Sequence, residues 1–138
     1  MFDVNFLAVA CAAATFLVGG LWYGPVLFGP RWGKEAGVIA PHETPQPGQR
    51  RGKHPGQVFA LAYVFTVLAV WALAWLLGAH PTIAHGARMG ALVGAGFAAT
   101  SFGVNYQFAA RSLVMTAIDG GYHVLQLTLA GIVLGAFG

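Results

Sequence analysis

The sequence has little charge for its length. Only 8% of its 138 residues are charged, and 57% are hydrophobic. A soluble domain carries about 25% charged residues, and its folded surface must be partly polar to stay dispersed. The composition therefore predicts an integral membrane protein. The formal net charge of +3 is small, and the basic residues flank apolar stretches, so membrane lipids are the expected partners rather than nucleic acid.

Cysteine is nearly absent, because Cys11 is the only one in the sequence. One cysteine excludes an intrachain disulfide framework and a Cys-x-x-Cys metal site. We expect Cys11 to pack as a small hydrophobe. The first residues lack both a basic region and a small-residue cleavage site, so we do not expect a removable signal peptide.

Long apolar stretches dominate the rest of the chain. Each can span a hydrocarbon core of about 30 Å, and they cover about residues 4–23, 58–77, 89–108 and 114–137. These stretches predict a single all-α domain over residues 1–138, an integral membrane bundle of four transmembrane helices. Prolines and glycines predict a flexible loop at 38–57 and short hairpins at 78–88 and 109–113.

A short interfacial helix is expected within the first connection, over residues 30–36, with Pro30 in its first turn and Trp32 among lipid headgroups. No strand is evident anywhere in the sequence.

The distribution of basic residues predicts the orientation. The first and third connections hold Arg31, Lys34, Arg50, Arg51, Lys53 and Arg111. The second connection holds only Arg88. Because loops rich in Lys and Arg stay in the cytoplasm, the first and third connections are expected there, and both termini are expected on the outer side.

Small residues predict where helices pack. Gly90 and Gly94 form one Gly-x-x-x-Gly pair in the third segment, and Gly131 and Gly135 form another in the fourth. Such pairs allow close approach of helix backbones in lipid. We therefore expect the third segment to be the most enclosed helix, and both glycine faces to offer contacts for self-association.

The stretch from Ile118 to Gln126 places polar groups inside the fourth segment. Asp119, Tyr122, His123 and Gln126 share one helix face. An acid within a membrane segment is costly unless it faces protein or water, and hydrocarbon offers no hydrogen bonds. We therefore predict a polar cluster on the cytoplasmic side, between the first, third and fourth segments. Its further members are Trp22, Tyr23, Asn105, Tyr106 and Arg111.

Three roles remain open for this cluster. Asn105, Tyr106 and Arg111 could fasten the last two helices to Asp119 and His123. Alternatively, a histidine tuned by a carboxylate could relay protons along a permeation path. The third role is a ligand or lipid-headgroup pocket in which Arg111 and Arg31 bind an anion.

Enzyme chemistry is not expected. Asp119 and His123 supply only two metal ligands, whereas a zinc site usually takes three or four. A second buried histidine for haem is missing, and no serine or cysteine nucleophile lies near His123 in the sequence. We therefore expect no metal, no cofactor and no catalytic residues.

Several short motifs resemble those of a bacterial family labelled domain of unknown function 1761. In chain order they are Asn5-Phe6-Leu7-Ala8-Val9, Leu21-Trp22-Tyr23-Gly24-Pro25, Phe28-Gly29, Trp32, Asn105-Tyr106, Arg111-Ser112-Leu113 and Asp119-Gly120-Gly121-Tyr122-His123. The resemblance covers the first, third and fourth segments. It implies a small protein with four membrane helices and no established activity. The expected location is then the bacterial inner (plasma) membrane, with both termini periplasmic or extracellular.

Two functional hypotheses follow from the sequence. The chain could be a transporter or channel subunit, built as a homo-oligomer with Asp119 and His123 lining a path. It could instead be a non-transporting accessory or scaffold subunit of a larger membrane complex. The first predicts a water-accessible cavity at His123. The second predicts a fully packed cluster and an exposed groove of small residues for a foreign helix.

Overall fold

The computed structural model describes residues 4–40 and 42–137, and these residues are mostly helical, as predicted. The helices are α1 (Phe6–Ala13), α2 (Val18–Trp22), α3 (Gly29–Ala36), α4 (Pro55–Leu77), α5 (Ile83–Val93), α6 (Thr100–Phe108) and α7 (Leu113–Phe137). A 3₁₀ turn, Ala14–Leu17, joins α1 to α2, and a π-helical stretch, Gly94–Ala99, joins α5 to α6.

Two of these helices are long and apolar enough to cross a membrane, namely α4 and α7. The run Phe6–Trp22 is apolar but shorter. Helix α5, the π-helical stretch and α6 follow one another without a break. The crossing of a membrane by four segments therefore remains a prediction, and α4 and α7 are the two segments whose length and composition fit it.

The second connection is shorter than the sequence predicts. The Thr82 side chain accepts a hydrogen bond from the His85 backbone N–H and caps α5, which begins at Ile83. Residues 83–88 are therefore helical, not part of a turn. Threonine is a preferred residue at this position because its hydroxyl satisfies an N–H group that has no partner within the helix.

The first connection is more ordered than predicted, because two short strands pair within it. Strand β1 (Val38–Ile39) lies parallel to β2 (Arg50–Arg51), and the register places Val38 opposite Arg50. Gly37, between α3 and β1, has a left-handed φ of 67°, a conformation that glycine adopts without steric cost. The expectation that the sequence holds no strand was wrong here, because a strand of two residues is too short to leave a recognisable pattern.

Helix α7 forms the centre of the molecule. Its buried Leu127, Ala130 and Leu134 belong to one apolar core with residues of α1 and α4, among them Val9 and Val70. In contrast, none of the residues of α6 is buried. The fourth segment is therefore the most enclosed, and the expectation that the third would be was wrong. Cys11 is exposed rather than packed.

The glycines of α5 face those of α7 within the same chain. A Cβ atom at Gly86 would overlap the Gly131 carbonyl, and one at Gly90 would overlap the carbonyl of Leu127. A Cβ at Gly94 would lie 2.7 Å from Val124 Cα. Gly135 is similarly close to the backbone at the start of α5.

These close approaches show which surfaces the glycine pairs contact. Gly90, Gly94, Gly131 and Gly135 therefore act in helix packing, as expected, but the packing lies within the chain, so these four positions are not free for self-association. Absence of a side chain lets two helix backbones approach until van der Waals contact extends along both.

Candidate functional site

Asp119 is a buried carboxylate held by two tyrosines. The Tyr23 hydroxyl donates to Oδ1 at 2.5 Å, and the Tyr106 hydroxyl donates to Oδ2 at 2.6 Å. Asp119 itself is only 5% exposed. Three separate segments of the chain therefore meet at one side chain.

Local backbone geometry brings the two tyrosines to Asp119. Tyr23 follows the last residue of α2, where Gly24-Pro25 prevents the helix from continuing. Tyr106 lies on α6, thirteen residues before Asp119. Between Tyr106 and Asp119 the chain reverses direction at Ala110, which has a φ of 57°. The tight reversal returns α7 alongside α6, so that both residues face the same interior.

A second set of hydrogen bonds joins the same face of α7 to the first segment. Tyr122 donates from its hydroxyl to the Phe16 carbonyl at 2.9 Å, and Trp22 donates from Nε1 to the Ile118 carbonyl at 2.9 Å. Deeper along α7, the buried Gln126 amide donates to the Thr15 hydroxyl at 3.0 Å. Each bond satisfies a polar group that hydrocarbon could not.

Two glycines provide the room for these aromatic rings. A Cβ atom at Gly19 would lie 3.1 Å from the Tyr122 ring, and one at Gly121 would lie 3.0 Å from the Trp22 ring. Both positions would require the ring to shift if occupied by a larger residue. The glycines therefore belong to the site as spacers.

His123 lies beside the carboxylate site without bonding to it. Its ring stacks on Phe102, with centroids 5.2 Å apart, and meets the edge of Tyr122 at 4.9 Å. No hydrogen bond joins His123 to any residue within 4–40 or 42–137. The expected pairing of His123 with Asp119 is therefore replaced by a pairing of Asp119 with two tyrosines.

Two further residues predicted for the cluster lie outside it. Asn105 is exposed, one residue before the tyrosine that reaches Asp119. Arg111 donates from Nη1 to the carbonyl of Ala36 at 3.3 Å. Helical rotation explains the first case, because adjacent residues on a helix point about 100° apart. The second follows from the position of α3, which the sequence alone did not locate.

Helix α3 supplies contacts that the sequence analysis missed. The Trp32 ring meets Tyr23 edge-on at 5.8 Å. A hydrogen bond from the Ser112 hydroxyl, together with the charge of Arg31, holds the pKa of Glu35 below its ordinary value. Trp32 and Ser112 both belong to the short family-like motifs of the sequence, so their membership of those motifs was a signal that could have identified them. Thr15 is the one aliphatic hydroxyl residue of the first apolar segment, and that distinction could have identified it.

The arrangement suits a structural carboxylate better than a reacting one. Both oxygens of Asp119 are occupied by internal donors, and water has little access to them. Among the described residues, no group of three or more His, Cys, Asp or Glu side chains could hold a metal ion. What the geometry can do is hold three helical segments together at a defined distance.

Comparison with known proteins places the chain in a family. A family model described as "Protein of unknown function (DUF1761)" matches residues 7–135. The chain belongs to this family. No curated protein and no solved structure matches the chain. The match spans every residue of the carboxylate site, from Thr15 to Gln126, so that the site lies within the part of the chain that defines DUF1761 membership.

Proposed function

We propose that this DUF1761 protein is a multi-pass membrane scaffold that binds other membrane helices and neither transports a solute nor catalyses a reaction. In this proposal the segments 6–22, 55–77, 83–108 and 113–137 all lie in lipid. The observation that carries the proposal is the hydrogen bonding of Asp119, whose two oxygens accept bonds from the hydroxyls of Tyr23 and Tyr106. A buried carboxylate whose two oxygens each accept an internal hydrogen bond stabilises packing, and its low exposure leaves it poorly placed to bind a passing ion.

The positions of the basic connections support the four-crossing topology. Arg50, from the first connection, and Arg111, from the third, both donate to the Ala36 carbonyl. The two basic connections therefore lie at one end of the bundle, as the distribution of Lys and Arg requires if that end faces the cytoplasm. We propose a bacterial inner membrane location with both termini on the outer side.

An exposed face of the third segment supports the binding of another helix. Small and polar residues line a hollow on its surface: Thr100, Ser101, Val104 and Asn105. Gly96 lies one turn before Thr100 and is also exposed. The hydroxyls of Thr100 and Ser101 donate within their own helix. The Asn105 amide is different, because it is exposed and bonds to no residue that the structure describes.

A second copy of the chain is the occupant that suits this face best. A carboxamide carries donors and an acceptor, so two Asn105 side chains related by a twofold axis can bond to each other. Small neighbours such as Gly96 and Ser101 allow the two backbones to approach. The transport hypothesis has less support, since it requires water at His123, where the structure places aromatic rings.

Cysteine cross-linking in native membranes tests this interface. With Cys11→Ser as the background, Asn105→Cys and Ser101→Cys should each give a disulfide-linked dimer after mild oxidation. Val58→Cys, exposed at a comparable distance from the end of α4, is the control and should remain monomeric. Equal cross-linking at all three positions, or none at 101 and 105, would contradict self-association through this face.

A further inference from the structure

Two positively charged side chains converge at the C-terminal end of α3. Arg111 donates from Nη1 to the Ala36 carbonyl at 3.3 Å, and Arg50 donates from Nη2 to the same oxygen at 3.4 Å. Seventy-five and fourteen residues separate them from Ala36 in the chain. Their nitrogens therefore lie within about 7 Å of each other, so the two like charges repel, and an anion bound between them would be attracted by both.

The fold holds both arginines in this position. The Arg50 backbone N–H donates to the Gly37 carbonyl at 2.7 Å, as part of the β1–β2 pairing. A Cβ at Gly37 would lie 2.9 Å from the Gly48 carbonyl, so the close return of the loop requires glycine there. The Arg111 backbone N–H donates to the Tyr106 carbonyl at 2.9 Å, which closes the turn between α6 and α7.

Neighbouring acidic groups are already engaged elsewhere. Glu35, the acidic residue of α3, pairs with Arg31 at 3.0 Å. Within 4–40 and 42–137, neither Arg50 nor Arg111 forms an ion pair. Each guanidinium has five N–H donors, and the carbonyl uses one of each. Two cations with free donors and one shared neutral acceptor thus lack the anion that would balance them.

We propose that Arg50 and Arg111 together bind a phosphate group. Guanidinium groups match phosphate oxygens in a forked geometry, and two of them from different connections can hold one phosphate from both sides. A phospholipid headgroup and a soluble phosphate share this chemistry. The site differs from an anion pocket of Arg111 with Arg31, because Arg31 is paired with Glu35. This proposal goes beyond the scaffold function and does not depend on self-association.

Ligand-induced stabilisation of the full-length protein in neutral detergent provides the test. The melting temperature is followed while phosphatidylglycerol, phosphatidylcholine or inorganic phosphate is added at constant ionic strength. Phosphatidylglycerol or inorganic phosphate should raise the melting temperature of the wild type. R50Q and R111Q should each bind about tenfold more weakly, since each removes charged hydrogen bonds. R51Q removes the same charge from an adjacent exposed arginine and should bind like the wild type.

The outcomes separate the phosphate sources and decide the proposal. Stabilisation by phosphatidylglycerol alone identifies a lipid headgroup, and stabilisation by inorganic phosphate alone identifies a soluble phosphate. Competition between the two supports a site that takes either. Equal weakening in R51Q shows diffuse attraction only and overturns the proposal, as does the absence of stabilisation by both compounds. If a glutamine variant does not fold, R50K and R111K replace it, and wild-type affinity in both would also overturn the forked geometry.

Discussion

A carboxylate in the interior of a helical bundle is stable only when donors replace the water that it has lost. Asp119 meets this requirement through two phenols from other segments, at 2.5 and 2.6 Å. Because the donors come from Tyr23 and Tyr106, the bond energy acts between helices and not within one. At the scale of a residue, Asp119 therefore joins α7 to two other segments through hydrogen bonds.

Removing either donor should weaken the fold measurably. Tyr23→Phe and Tyr106→Phe are each expected to lower the free energy of unfolding by about 1–3 kcal/mol, since each leaves a buried carboxylate oxygen unpaired. The double variant should lose more than the sum, because Asp119 would then lack both tyrosine donors. Unfolding in mixed detergent micelles measures these changes.

The matched control is Tyr63→Phe. Tyr63 donates to a neutral backbone carbonyl, that of Ala10, at 3.1 Å in a more exposed position. We expect its loss to cost at most about 1 kcal/mol. An equal loss of unfolding free energy at Tyr63 and at Tyr23 would show that the Asp119 carboxylate stabilises the fold no more than a backbone carbonyl acceptor does.

At the scale of elements, α5 and α7 pack closely because their glycines have no side chains to keep the two backbones apart. Gly86, Gly90 and Gly94 recur every fourth residue, so they form one stripe along α5 and the first residue of the π-helical stretch, and this stripe contacts the α7 backbone. A Cβ atom at Gly96, only two residues beyond Gly94, would lie no closer than 3.9 Å to a neighbour, the Leu92 methyl group. Two residues along a helix correspond to about half a turn, so Gly94 faces α7 whereas Gly96 faces away from it.

This difference predicts substitutions of opposite sign. Gly94→Ala should lower the free energy of unfolding by about 1–3 kcal/mol, because the added Cβ forces the helices apart. In detergent that keeps the protein monomeric, Gly96→Ala should leave the free energy of unfolding unchanged or raise it by up to about 1 kcal/mol, since alanine is the better helix former. Thermal unfolding of both variants in one detergent checks the pair. A loss at Gly96 as large as that at Gly94 would contradict the packing described for α5.

At the scale of the molecule, the two basic connections occupy one end of the bundle. This prediction can be tested with single cysteines in a Cys11→Ser background. Gln46→Cys, in the first connection, should be protected from a membrane-impermeant maleimide in intact cells. Ala79→Cys, in the second, should be labelled. Both positions are exposed in the structure, so burial does not account for a difference. Labelling of Gln46→Cys but not of Ala79→Cys would reverse the proposed orientation.

Composition and motif order determined much of this protein in advance. Helical structure, family membership and the presence of polar residues such as Asp119 inside an apolar segment follow from local pattern, because an apolar segment and its polar exceptions are visible in the sequence itself. Helix boundaries were less predictable. The capping role of Thr82 depends on the backbone direction around it, which a hydropathy pattern does not contain.

Only the tertiary structure decided which polar groups meet. Asn105 and Tyr106 are neighbours in sequence, yet only the second reaches Asp119, because helix rotation aims them differently. Arg111 bonds to α3 and not to the carboxylate, and the glycine faces pack inside the chain rather than between chains. Such choices depend on distances between segments far apart in sequence. They are settled when close packing and hydrogen bonding are satisfied together, and no local pattern encodes that outcome.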